Sequence, residues 1–156
     1  MNDLKFLRQA IRLARDHARD GTGGPFGAVV VRGDEVVGTG WNQVVEGTDP
    51  TAHAEILAIR EAAGRMGTHL LDDCVIYCSC EPCPMCLSAI YWSRIPRVVY
   101  ASSGVDATRA GFDDTLISRE LQANWADRSL QSDQALTEEG KKVLEEWAQD
   151  PDRKKY

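Results

Sequence analysis

Two short clusters carry residues whose types and spacing suit metal chemistry: His53-Ala54-Glu55 and Pro82-Cys83-Pro84-Met85-Cys86. Two thiolates at i and i+3 fall on one turn of a helix, near enough to grip a single ion, and a helix N-terminus favours their negative charge. His53 supplies a third donor. Three N/S ligands with an open fourth position describe catalytic rather than structural zinc, whose bound water has its pKa lowered to about 7. Glu55, two residues past the histidine, is placed to carry protons without ligating. Neither cluster decides the matter alone. A Cys-x-x-Cys pair also suits a thioredoxin-like redox site, although that reading leaves His53 and Glu55 unexplained. Cys80, Cys83 and Cys86 begin a ferredoxin-like run, but its fourth cysteine would fall where the chain has Ile90. A closed four-ligand zinc site would recruit Cys78 or Cys80, which end an apolar stretch where cysteine serves as a small hydrophobe. All five cysteines lie between positions 74 and 86, an odd, bunched set that makes a poor disulfide framework.

The elements that must position these clusters follow from periodicity. Leu4, Leu7, Ile11 and Ala14 recur at three- and four-residue steps, which predicts an amphipathic helix over 3–19 with Asn2 or Asp3 as cap. Gly21 to Gly24 break it. Ala28 to Val31 and Val36-Val37, flanking Gly33-Asp34, predict a hairpin whose first strand is covered on both faces. Thr51 is the candidate cap of a second helix to about Met66, with Ile56, Ile59, Ala63 and Met66 on one face. Cys74 to Cys78 reads as a buried strand, and Pro82 and Pro84 suit the first turn of a third helix continuing through Leu87, Ile90 and Tyr91. Val98 to Tyr100 makes a further strand. Helices are expected over 115–121 and 137–149, the latter with Val143, Leu144 and Trp147 on one side. This alternation predicts an α/β chain: a three-layer α-β-α sandwich around a mixed sheet of about five strands, in a single domain over 1–156.

Length and composition agree. A chain of 156 residues buries enough surface to fold without staples, and 43% hydrophobic with 27% charged residues excludes wholesale disorder. No apolar run approaches the ~18 residues of a membrane span. The opening MNDLKFLRQ lacks the apolar core of a signal peptide, so a cytoplasmic protein is expected. Eighteen basic against 24 acidic residues give a net charge of −6. With only Arg153-Lys154-Lys155 as a basic run, nucleic acid is a disfavoured partner and a small neutral substrate a favoured one.

An H-x-E at one helix start and a P-C-x-x-C at the next form the combined pattern of zinc-dependent nucleobase deaminases. Through GGPFGAVVV (23–31), DPTAHAEILAIR (49–60), LDDCVIYCSCEPCPMCLSAIYWSR (71–94) and AGFDD (110–114), the chain resembles the cytidine deaminase-like zinc deaminases. AGFDD and the terminal Lys154-Lys155-Tyr156 resemble their small bacterial guanine deaminase branch. The resemblance implies one Zn2+ per subunit on His53, Cys83 and Cys86, and hydrolysis of guanine at C2 to xanthine and ammonia. Glu55 would pass the water's proton to ring N3, and Asp114 would assist departure of the amine. Asn42 and the Ala54 backbone N–H would meet the polar edge of the base, with Phe26 and Trp92 sandwiching the ring. Tyr156 would close over the site, the segment 137–156 being exchanged between subunits of a homodimer.

Taken singly, these residues have plainer readings. Asp113-Asp114 reads as a solvated pair or helix cap, Asn42 as a turn former, and Phe26 and Trp92 as core aromatics. The end DPDRKKY reads as a solvated tail. Gly23-Gly24 lacks a following Gly-Lys-Ser/Thr and serves a turn near the pocket. The stretch 124–136 is too polar for the fifth strand. The competing functions are the same machinery acting on cytosine, a triazine, a nucleoside or tRNA adenosine, and a zinc-stabilised module without activity.

Overall fold

A computed structural model describes residues 3–155, so the expected Asn2 cap and the Tyr156 lid lie outside the described residues. In chain order the elements are α1 (Asp3–Asp20), β1 (Gly24–Arg32), β2 (Glu35–Asn42), α2 (Ala54–Met66), β3 (Cys74–Cys80), α3 (Pro84–Trp92), β4 (Arg97–Ser102), α4 (Gly104–Arg109), α5 (Thr115–Gln122), a 3-10 turn (Trp125–Asp127) and α6 (Thr137–Gln149). The chain forms two compact units, one running to Thr115 and one starting at Leu116. No helix among the described residues is long and apolar enough to cross a membrane.

The first unit is built on a mixed sheet in the order β2-β1-β3-β4. β1 runs antiparallel to both β2 and β3, and β3 runs parallel to β4 through the α3 crossover. Strand alternation divides the core in two. Ala28, Val30, Ile76 and Cys78 pack with Ala54, Ala58 and Ala62 of α2 and Ile90 of α3. Val29, Val31, Val75 and Tyr77 pack with Phe6 of α1 on the other face. Val29, Val30, Ile76 and Tyr77 are fully enclosed. Each such aliphatic or aromatic side chain contributes about 1.5–3 kcal/mol. The continuous apolar run of β1 thus reflects helices on both faces of the sheet.

The small-residue side of α2 lets its backbone lie directly on β2. A Cβ at Gly38 would collide with the carbonyl oxygen of Ala58, and one at Gly40 with that of Ala54. Gly67 ends the helix in the left-handed region at φ 67°, its N–H meeting the Ala63 carbonyl.

Two expectations need correction, and one helix lies beyond them. The sheet among the described residues has four strands rather than about five. In the stretch where a fifth was sought, side chains take the hydrogen bonds: Ser129 N donates to Glu120 Oε2, and Asn124 Nδ2 to Asp127 Oδ2. Thr51 does not cap α2; its N and Oγ1 donate to Asp49 Oδ1, and the cap position belongs to His53. Helix α4 was not foreseen, although Ser103 and Asp106 form a complete capping box at its start.

In the second unit, α6 carries the Lys141–Glu145 and Lys142–Glu146 pairs on its surface and leaves Val143 and Leu144 exposed.

Candidate active site

His53 is the N-cap residue of α2 and Cys83 that of α3, and neither side chain makes a capping hydrogen bond. Pro84 opens α3, where a missing N–H costs nothing, and sets Cys86 on the same turn as Cys83. Two helix starts therefore converge on one point. His53 Nδ1 lies 3.5 Å from both Cys83 Sγ and Cys86 Sγ, and the donor atoms of all three residues lie within 4.8 Å of one another. Tetrahedral zinc with Zn–N near 2.05 Å and Zn–S near 2.3 Å requires an N···S edge of about 3.5 Å. The donor set fits zinc in identity, number and spacing.

The three donors and Glu55 perturb one another's titration. Cys83 is held down to about 4, first by its hydrogen bond with Cys86 and then by His53, against the opposing effect of burial. The same Cys83 contact, with burial, pushes Cys86 up. The His53 pKa is raised, mainly by Cys83. Glu55 is buried, at 8% exposure, and desolvation raises its pKa above the usual carboxylate value. Its carboxyl is in hydrogen-bonding reach of Cys86, beside the ligands and not one of them.

Cys74, Cys78 and Cys80 are buried along β3, where desolvation raises all three thiols. They behave as the small hydrophobes expected of them. The loop from β3 to α3 is fastened on several sides. Gly27 N donates to Ser79 Oγ at 3.0 Å, Ser102 Oγ to Ser79 O at 2.9 Å, and Glu81 N to Ser102 O at 2.8 Å. Gly104 N reaches Glu81 Oε2 at 2.8 Å.

Other candidate residues fall around this centre unequally. Asn42 ends β2, half-buried, its Oδ1 accepting from Val44 N at 3.3 Å and facing Gly24 across the ladder. Ala54 begins α2 between His53 and Glu55 and is 1% exposed. Phe26 packs against the α2-side core and meets Phe112 edge-on at 4.8 Å. That contact draws the 110–114 loop to the start of β1. Asp113 is occupied in a turn, accepting from Thr115 N and Oγ1 just before α5. Trp92 ends α3, six residues or about 9 Å along the axis from Cys86, and is 65% exposed. It does not join the ligand cluster. Phe112, within the AGFDD motif, is not among the residues singled out from the sequence, and its contact with Phe26 comes from the fold.

Residues 1–102 match the family described as "Cytidine and deoxycytidylate deaminase zinc-binding region". The chain is 44% identical over 156 residues to the guanine deaminase of Bacillus subtilis (strain 168), covering 100% of both proteins. The X-ray structure of guanine deaminase from Bacillus subtilis superposes with a TM-score of 0.96, covering 100% of this chain and 99% of that one at 44% identity. A guanine deaminase structure from Nitrosomonas europaea gives a TM-score of 0.66 at 35% identity, over 69% of this chain and 63% of that one. The tRNA-specific adenosine deaminase of Aquifex aeolicus (strain VF5) is 42% identical over 97 residues, 62% of this chain and 64% of that protein.

Proposed function

This chain belongs to the cytidine and deoxycytidylate deaminase family of zinc enzymes, and from that premise we propose that it hydrolyses guanine to xanthine and ammonia. One observation carries the choice of base. The likeness to a guanine deaminase runs the full length, through the 110–114 loop and the C-terminal segment, whereas the match to the Aquifex tRNA adenosine deaminase covers 62% of the chain. A net charge of −6 also opposes a polyanionic substrate.

His53, Cys83 and Cys86 hold the metal, and zinc bound there supplies a Lewis acid that lowers the pKa of water to about 7. Glu55, buried beside those ligands, accepts a proton from the attacking water and delivers it to guanine N3 as C2 becomes tetrahedral. The 2-amino nitrogen takes up a second proton, the one lost by the new C2 hydroxyl, with Asp114 assisting. The C2–N bond then breaks, ammonia departs and C2 becomes the second carbonyl of xanthine. Water plus guanine thus balances xanthine plus ammonia.

Asn42 and the Ala54 N–H hold the polar edge of the base, and Phe26 lies against its ring. Trp92 is the proposed other face of that sandwich, and Tyr156 the proposed lid over the base, in a homodimer that exchanges the segment 137–156. Ammonia release from zinc-loaded protein, offered guanine, cytosine, a triazine, adenosine and tRNA in turn, tests the reading. Guanine is expected to be the preferred source. Release only from another member of the panel would reassign the substrate, and release from none would leave a non-catalytic zinc module.

A further inference from the structure

The junction of α1 and β1 carries a polar-aromatic cluster outside the metal centre. The His17 imidazole and the Trp41 indole stack with centroids 3.8 Å apart and planes 5° from parallel. Thr22 donates to Asp20 Oδ1 from both its N–H, at 2.9 Å, and its hydroxyl, at 2.5 Å. That hydroxyl therefore accepts from His17 Nδ1–H, 2.6 Å away. Trp41 Nε1–H donates to the Thr22 carbonyl at 3.2 Å. The indole is thus fixed by its face and by its one polar atom.

This cluster lies behind Asn42. Strand alternation sets Trp41 on the α1 side of β2, while Gly40 and Asn42 project to the α2 side. In the β1–β2 ladder Gly24 pairs with Asn42 and Gly27 with Trp41, so Pro25 and Phe26 bulge out against a single step of β2. Bulges re-aim side chains beside active sites. The bulge is closely fitted to both residues. A Cβ at Gly23 would strike the Asn42 carbonyl and come to 2.7 Å from Trp41 Cδ1, and one at Gly24 would come to 3.0 Å from Asn42 Oδ1. Any tilt of the indole moves the backbone that carries both Asn42 and the partner of the bulge.

We infer that His17 and Trp41 are positioning residues, a stacked clamp that fixes the gap between Asn42 and Phe26 into which the purine enters. The inference deepens the proposed function and rests on its assignment of Asn42. Neither residue touches the reacting atoms, so the clamp acts on binding of the base and not on proton transfer or metal retention.

The test uses the full-length, zinc-loaded protein and guanine. His17→Ala and Trp41→Ala should each raise KM roughly three- to tenfold, the worth of one aromatic stack, with kcat within about twofold and zinc content unchanged. Trp41→Phe, which keeps a ring against His17, should recover most of the loss. The double alanine variant should be little worse than either single variant, because each already removes the shared contact. An unchanged KM in both alanine variants, alongside a raised KM in Asn42→Ala, overturns the clamp and leaves the Asn42 assignment standing. An unchanged KM in Asn42→Ala removes that assignment and the clamp with it. A parallel loss of kcat, zinc and thermal stability in Trp41→Ala, with no rescue by phenylalanine, reduces the pair to ordinary packing and likewise overturns the inference.

Discussion

Glu55 tests whether a carboxylate beside a metal is a ligand or a proton carrier. The substitution Glu55→Gln keeps shape and hydrogen bonding and removes only the titrating group. It is expected to retain zinc by elemental analysis while ammonia release falls by about 10²–10⁴-fold, the usual worth of a positioned acid–base group. Cys83→Ala should lose the metal as well. Asp114→Asn should lower turnover about a hundredfold or more at constant zinc content, measured in the same assay; unchanged turnover would return the acidic pair to plain surface chemistry. The metal-binding trio was legible in the sequence because His53 and the Cys83–Cys86 pair each stand at a helix start. The surroundings of Asn42, Phe26 and Phe112 were harder. Strand pairing sets Asn42 opposite Gly24 and a ring contact joins Phe26 to Phe112, and a single aromatic in a loop carries no spacing that distinguishes it from core.

At the scale of elements, the placement of α2 on β2 decides where His53 and Glu55 stand. Gly40→Ala would force a methyl group into the Ala54 carbonyl, and the helix start must lift to admit it. Overpacking of this kind costs about 1–3 kcal/mol. Denaturant unfolding should show that loss, together with lower zinc occupancy because His53 moves with Ala54. Gly64→Ala, also concerning α2, meets nothing within 4 Å and should stabilise by about 0.5–1 kcal/mol with unchanged activity. The elements themselves were largely readable. The hairpin announced itself in Gly33-Asp34 between valine runs, and α2 in its apolar stripe, although the face it fully buries is the row Ala54, Ala58 and Ala62, with Ile56, Ile59, Ala63 and Met66 only half-buried. The start of α2 was not, because Thr51 has the chemistry of a cap and spends it on a turn with Asp49. Helix α4 hid in only six residues, too few for a periodicity to register.

For the whole molecule, sequence periodicity supplied α/β layering but not strand order. That β1 is central and antiparallel on both sides, with β3 and β4 parallel, depends on contacts remote in sequence. One such long-range contact closes the chain's beginning onto its sheet: Asp3 accepts from Arg97 at 2.6 Å and from Tyr77 Oη at 2.7 Å. These hold the Asp3 carboxyl down to about 2, with Arg97 the larger cause. Asp20, Asp49, Asp73, Asp106 and Asp113 are likewise held below their ordinary value, each chiefly by a side-chain hydrogen bond. The unfolded chain binds protons at these sites near pH 3.9, before the folded one does. Their stabilisation is therefore complete above about pH 4 and lost as pH falls through the folded values. Urea midpoints should drop between pH 4 and 2, and Asp3→Asn should flatten the lower part of that decline relative to the parent.

The two residues that begin α2 and α3 are also two of the three metal ligands, and neither spends its side chain on the backbone of its own helix. The ion thereby acts as a common rivet for two helix ends. Metal occupancy is then linked to local opening: chelation should accelerate amide hydrogen–deuterium exchange in the opening turns of both helices, while the central strands keep their protection. A spectroscopically silent cation becomes countable, residue by residue, through the backbone it holds shut.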